Sequence, residues 1–218
     1  WVDGGSTSHV LSDYLGGYAI RNLTGGTPPS IASPLISGIG TSGTVTAPSQ
    51  YVPIAKGFFV LAIGSGNVVF NNSQRYFKTE SNRLVNTLDT GNKYLRIGYE
   101  DPEGFHRQLL LGFMPNSSAD LSYNPGYDAI QLMTREDDVF FIIDNNPNKQ
   151  YAIQGVNGFS EFMEFPIGLV ISEAGTHQLM LDAVENFTET VYLKDNLLNT
   201  THDLTASNFE INLPAGDY

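Results

Sequence analysis

The chain has 218 residues, 41% hydrophobic and 11% aromatic, which is enough apolar material for one large core or two small ones and too much for a disordered chain. Eleven Lys and Arg against 23 Asp and Glu give a formal charge of -12, a field that repels phosphates and anionic headgroups, so nucleic acid is not an expected partner. No apolar run approaches the roughly 18 residues of a membrane-spanning helix, so no membrane insertion is expected, and zero cysteines leave the redox compartment open.

The chain starts at Trp1 with no charged segment leading into an apolar one, which points to a processed or partial chain. Residues 1–53 read as an arm with long loops. The first fifty hold only Asp3, Asp13 and Arg21 as charges, while Gly, Ser, Thr and Pro supply 27 of the 50, a composition that favours turns and extended chain over helix. Apolar islands such as "HVLSDYL" and "GGYAI" carry a cost if left in water, so the arm is expected to dock by strand addition on an open sheet edge. Docking on its own domain leaves a monomer. Docking on the next copy gives head-to-tail self-association that propagates as a filament, the outcome expected here.

Residues 54–218 read as one β-sandwich domain. Short apolar runs follow one another between turn signals: "GFFVLAI" (57–63), "NVVFN" (67–71), "YLRIGYE" (94–100), "RQLLLGF" (107–113), "YDAIQLM" (127–133) and "DVFFIID" (138–144). After them come "QYAIQGV" (150–156), "FMEFPIGLVIS" (162–172), "THQLMLDAV" (176–184), "ETVYLKD" (189–195) and "NFEINLP" (208–214). Leu95, Ile97 and Tyr99 share one face with Arg96 on the other, and Phe209, Ile211 and Leu213 oppose Glu210 and Asn212, the period of half-buried strands. "GFFVLAI" and "VFFIID" are apolar on both faces, as in central strands. About eleven strands without a helical period predict an all-β fold, an antiparallel sandwich of jelly-roll type.

Motifs with chemical content are few. "GIGTSG" (38–43) has the spacing of a dinucleotide loop, but Pro48 and Pro53 follow where a helix should start, so it reads as a loop. "LDTG" (88–91) has no second copy to form an aspartic dyad and reads as a turn. "DNNPNK" (144–149) opens like a calcium loop but has Lys149 in place of the required Gly. His9, His106, His177 and His202 lack zinc spacing, and His177, in phase with Leu179 and Leu181, reads as a histidine at the edge of the core with a hydrogen-bond partner. Carboxylate pairs drawn from Glu161, Glu164, Glu173 and Glu185 would be arbitrary, and nothing selects a serine nucleophile, so no catalytic residue, no enzyme activity and no cofactor is expected. Sequons stand at Asn22, Asn71, Asn116, Asn186 and Asn199.

The most suggestive stretch is "YLKDNLLNTTHDL" (192–204), which gathers Asp195, Asn196, Asn199, His202 and Asp203. It is expected to be a turn between two late strands, its polar side chains bonding backbone amides. Asp195 and Asp203 are the candidates for a hard cation if the two carboxylates meet.

Three blocks, "IAKGFFVLAIGSGNVVFNNSQRYF" (54–77), "YLRIGYED" with "LLLGFMPNSSADLSYNPGYDA" (94–129), and "VYLKDNLLNTTHDLTASNFEINLPAGDY" (191–218), occur in this order. Together they resemble the β-rich region that precedes the type IX sorting domain in secreted surface proteins of Bacteroidota. The chain departs from that pattern in lacking the opening Asn-Pro-x-Pro segment and in stopping at "AGDY", where the sorting domain would continue. The resemblance implies an exported, cell-surface location and an adhesin-like context, and supplies no catalytic residues. Taken with the composition, it leads to the expectation of a non-enzymatic extracellular structural or adhesive module. The alternatives are a carbohydrate-binding module, with Tyr123 and Tyr127 as foremost ligand aromatics beside Trp1, Tyr14, Tyr18 and Tyr51 and surface glycans as partners, and a hydrolase with dispersed residues.

Overall fold

A computed structural model of the protein describes residues 2–3, 16–39, 43, 45–77 and 91–218. The fold is all-β. Two short pairs come first: β1 (Val2–Asp3) with β2 (Gly16–Gly17), and β3 (Ile20–Arg21) with β4 (Gly26–Thr27). β5 (Ile31–Ala32) follows, and the central hairpin is β6 (Lys93–Glu100) with β7 (Phe105–Phe113). The "DPEG" turn between them follows from its residues. Asp101 Oδ1 accepts the amides of Glu103 and Phe105, each at 2.9 Å, Pro102 pre-sets the bend, and Gly104 supplies a φ of 81° that other residues resist.

Next are β8 (Ala129–Ile130), β9 (Asp138–Phe141), β10 (Tyr151–Val156), β11 (Ile167–Ile171) and β12 (Gly175–Glu185). The chain closes with the hairpin β13 (Tyr192–Asp195) and β14 (Thr200–Asp203), then β15 (Phe209–Leu213) and β16 (Gly216–Asp217). The main sheet runs β15-β12-β6-β7-β10-β9-β11-β16, with β5 joined to β7 and β8 joined to β10. It is mixed rather than wholly antiparallel. β10 runs parallel to β7, Ile153 beside Leu110 through Val156 beside Phe113, because residues 114–150 form the long crossover that a parallel neighbour requires. The core is built around Tyr99, Leu109, Phe113, Phe141, Tyr151 and Ile153, all buried.

Residues 16–36 of the expected arm dock on the chain's own sheet. β10 flanks β7 only from Leu110 to Phe113, so the same edge stays open lower down, and β5 fills it with Ile31 opposite His106 and Ala32 opposite Phe105. The β3–β4 turn is seated by a glycine pair. Gly112 and Gly155 lie side by side on β7 and β10, and a Cβ on either would approach Thr24 to 2.4 Å and 2.2 Å respectively. Thr24 fills that hollow while its hydroxyl donates to the Tyr127 carbonyl at 2.7 Å, and Asn22 Nδ2 donates to the same oxygen.

The strands expected at 57–63 and 67–71 are absent. Residues 51–77 form an excursion outside the sheet, with Phe59 79%, Leu61 66% and Ile63 71% exposed. Its two limbs face each other across "GSGN" through Phe58 and Phe70 (ring centroids 6.3 Å apart) and the stacked Tyr51 and Tyr76 (5.2 Å), without a hydrogen-bond ladder. The apolar run correctly signals a need for burial, but the places beside β7 are taken by β5, β6 and β10.

The glycine hollow generates a test. Gly112→Ala should destabilise the protein by about 1–3 kcal/mol through overpacking against the Thr24 methyl, and adding Thr24→Ser, which removes that methyl and keeps the hydroxyl, should restore most of the loss in urea unfolding. Equal stability of the single and double variants would show that Thr24 is not what fills the hollow.

Candidate functional site

β7 is buried along nearly its whole length, yet it carries His106, Arg107 and Gln108 in succession. Alternation sends Arg107 to one face and His106 with Gln108 to the other, and each must be met by a partner because a buried polar group without one is costly. Arg107 makes a two-pronged pair with Asp138 at the start of β9, both contacts 2.7 Å, and Nη2 also donates to the Met133 carbonyl. Asp138 accepts further amides from Arg135 and Val139.

On the opposite face, His106 Nε2 meets Asp182 Oδ2 at 2.9 Å across the intervening strand β6. Two local features make this reach possible. Asp182 is the extra residue of a β-bulge, since Leu181 pairs with Ile97 and Ala183 with Arg96, and the bulge turns its carboxylate inward. Gly98 lies beneath the pair, where a Cβ would come within 2.2 Å of Asp182 Oδ1 and 2.7 Å of His106 Cε1. Gln108 donates to the same carboxylate and accepts from Arg96, and Glu100 Oε2 lies 3.7 Å from His106 Nδ1. A third buried pair joins Tyr99 and His177, stacked at 8° with the hydroxyl 2.9 Å from Nδ1. Burial, then the nearby Asp137 and Asp101 carboxylates, push the tyrosine hydroxyl far up; burial depresses His177 and outweighs the opposite pull of those same acids.

Beside the Arg107 face opens a cleft of about 450 Å³. Asp101, Glu103, Glu136, Asp137 and Glu173 line it together with Arg107 and Arg135. Arg107 is already neutralised by Asp138, and Arg135 lies 3.5 Å above the Phe105 ring with ion pairs to Asp101 and Glu103. The cleft is therefore net negative and unsuited to phosphate or other anions.

The 192–204 stretch is a hairpin. Asp195 Oδ1 accepts the amides of Leu197 and Leu198, Asp203 Oδ1 accepts those of Thr205 and Ala206, and Asn199 takes a positive φ of 52°. Asp195 pairs with Thr200 and Asp203 with Tyr192, at opposite ends of the ladder and roughly 10 Å apart at a strand's rise per residue. The two carboxylates are not brought together, and among the described residues no group of three or more His, Cys, Asp or Glu is placed to hold a metal. His202 bonds the Ser207 carbonyl at 2.9 Å and packs on Phe209. Tyr123 leans on Tyr151, ring centroids 5.6 Å apart, under Lys149, and Tyr127 contributes its backbone carbonyl to Asn22 and Thr24.

The remaining motifs are local. Asp144 and Asn145 both adopt left-handed φ in a tight turn. Residues 40–42 of "GIGTSG", 88–90 of "LDTG", Trp1, His9 and Tyr14 lie outside the described residues. The sequon asparagines serve as turn residues. Asn116, Asn186 and Asn199 have positive φ, Asn22 accepts the amides of Thr24 and Gly25, and Asn71 caps the short turn at Asn72–Gln74. Sequence reasoning passed over the polar run on β7 and Gly98. The available signals were three consecutive polar residues entering an apolar strand and a glycine in a strand interior, which marks close approach.

These features define an all-β domain in which the polar run of β7 and the Tyr99–His177 pair are engaged across strands. The chain belongs to the domain family of unknown function DUF8693, which matches residues 17–218. No curated protein and no solved structure matches it.

Two outcomes follow from the buried ionisable groups. Arg107→Met should cost about 3–5 kcal/mol because it strands the Asp138 carboxylate, whereas Arg107→Met with Asp138→Leu should recover most of that loss in chemical denaturation. Asp128, buried beside the Asn124 and Gly155 amides, has its pKa pushed up to about 6 by burial, which outweighs those two hydrogen bonds. Its folded form therefore takes up a proton before the unfolded chain does, and its contribution to stability rises as pH falls through 6 and levels off near 3.8. The stability of the wild type relative to Asp128→Asn should climb by about 3 kcal/mol or less between pH 7.5 and pH 4; a flat difference would contradict the assignment.

Proposed function

We propose that this chain is a non-enzymatic structural or adhesive module of an extracellular bacterial surface protein. The observation that carries the reading is the 51–77 excursion: a large apolar surface held out from an acidic all-β body, which is what a domain that attaches to something presents. The resemblance of the three ordered sequence blocks to the region preceding type IX sorting domains supports the surface location. The titratable groups of the β7 polar run support the same reading, because they are engaged with one another across strands.

The reading is tested on cells. Brief protease treatment of intact source bacteria should remove the domain from immunoblots while a cytoplasmic marker survives; retention of the full signal on unlysed cells would sink the surface assignment. In a glycan array the purified chain should show no binder tighter than about millimolar. A micromolar sugar lost on replacing Tyr123 or Tyr127 by Ala would replace the structural reading with the carbohydrate-binding one.

A further inference from the structure

We infer that the 51–77 excursion is a donor segment for a second copy of this chain, with the Gly57–Ile63 limb pairing along the open edge of β15. The idea stands apart from the surface assignment, since it concerns the purified chain alone.

The donor is built for a partner. Gly57–Ile63 is apolar at every position except the first and forms no ladder with any strand among the described residues, and apart from an edge contact of the Phe59 ring with Tyr18 its side chains stand largely exposed, so it lacks the burial and pairing that such a sequence demands. Glycines 57, 64 and 66 touch nothing that a Cβ would meet within 4 Å, so the segment is not wedged into the body at these points. The segments that fill the chain's own open positions are already in place: β5 occupies the lower edge of β7, and Thr24 fills the glycine hollow. The excursion is what remains unspent.

Charge selects a copy of the same chain as the occupant. From Asn22 to Phe77 there is no Asp or Glu, and Lys56 and Arg75 are the only charged side chains, so the excursion is basic while the rest of a chain of net charge -12 is acidic. A second copy offers an acidic surface to a segment that its own fold has left outside. The acceptor edge is β15. It ends the main sheet, pairs with β12 alone among the described residues, and at five residues is longer than β16 at the other end. Glu210 and Asn212 are exposed along it, and Phe209 and Ile211 are half-buried, the alternation on which an added strand can place its own side chains. Lys56 immediately precedes the donor limb, which puts a cation at the end of an apolar strand that meets an edge bearing Glu210. Donor and acceptor are different patches, so the contact is heterologous and grows into chains unless its geometry closes a ring.

The test uses the full chain and follows mass against concentration by light scattering, from about 1 to about 500 μM, with hydrogen exchange at both ends of that range. The wild type should grow beyond monomer with concentration, and amides 57–63 and 209–213 should gain protection together. Leu61→Asp with Ile63→Asp should weaken association at least tenfold, while melting of the dilute monomer stays put because both side chains are exposed in it. Glu210→Lys with Asn212→Lys, on the acceptor side, should do the same. Three results would overturn the proposal: a wild type that stays monomeric throughout, amides 57–63 already protected in the dilute monomer, or association that either double variant leaves intact.

Discussion

β7 is a strand buried on both faces that nevertheless carries three polar residues in a row, and much of the structure answers that constraint. Without solvent, His106, Arg107 and Gln108 must find protein partners, and they find them in Arg96 on the adjoining hairpin strand β6 and, far along the chain, in Asp138 on β9 and Asp182 on β12. The bulge at Asp182 and the glycine at 98 exist in service of one of these contacts. Both features weaken a strand taken alone, since one interrupts the ladder and the other removes a packing side chain. Here they let a carboxylate and an imidazole meet over a third strand.

A similar economy governs the N-terminal third. Its Gly- and Thr-rich segments have no core of their own, but they fit vacancies in the sheet that larger side chains would close. Thr24 over Gly112 and Gly155, and Ile31 beside His106, turn a segment of poor local propensity into part of the domain. The apolar excursion has no such vacancy. Buried on both sides in the reading of its sequence, it is exposed in the structure, and this contrast is the physical basis for assigning it an external role.

Much of the strand content was legible from the sequence, because period-two alternation and turn chemistry are local properties. β6, β7, β12 and β15 fall where their apolar positions place them, and the "DPEG" bend shows its type in its residues. Within 192–204 the amide-bonding roles of Asp195 and Asp203 were likewise readable, but the stretch is itself the β13–β14 hairpin rather than a turn between two other strands. Period-two alternation does not record which strands become neighbours. The parallel pairing of β7 with β10, the absence of strands in 57–71 and the docking of residues 16–36 all depend on which edges other segments have already occupied.

By itself, then, the sequence determined an acidic, cysteine-free all-β chain, its main strands and its turns, because each of these follows from composition or from contacts within a few residues. Only the tertiary structure decided the partners of His106, Arg107 and Tyr99 and the exposure of the 51–77 excursion. Those outcomes rest on distances between residues tens of positions apart, and burial and charge pairing act through space without regard to chain order.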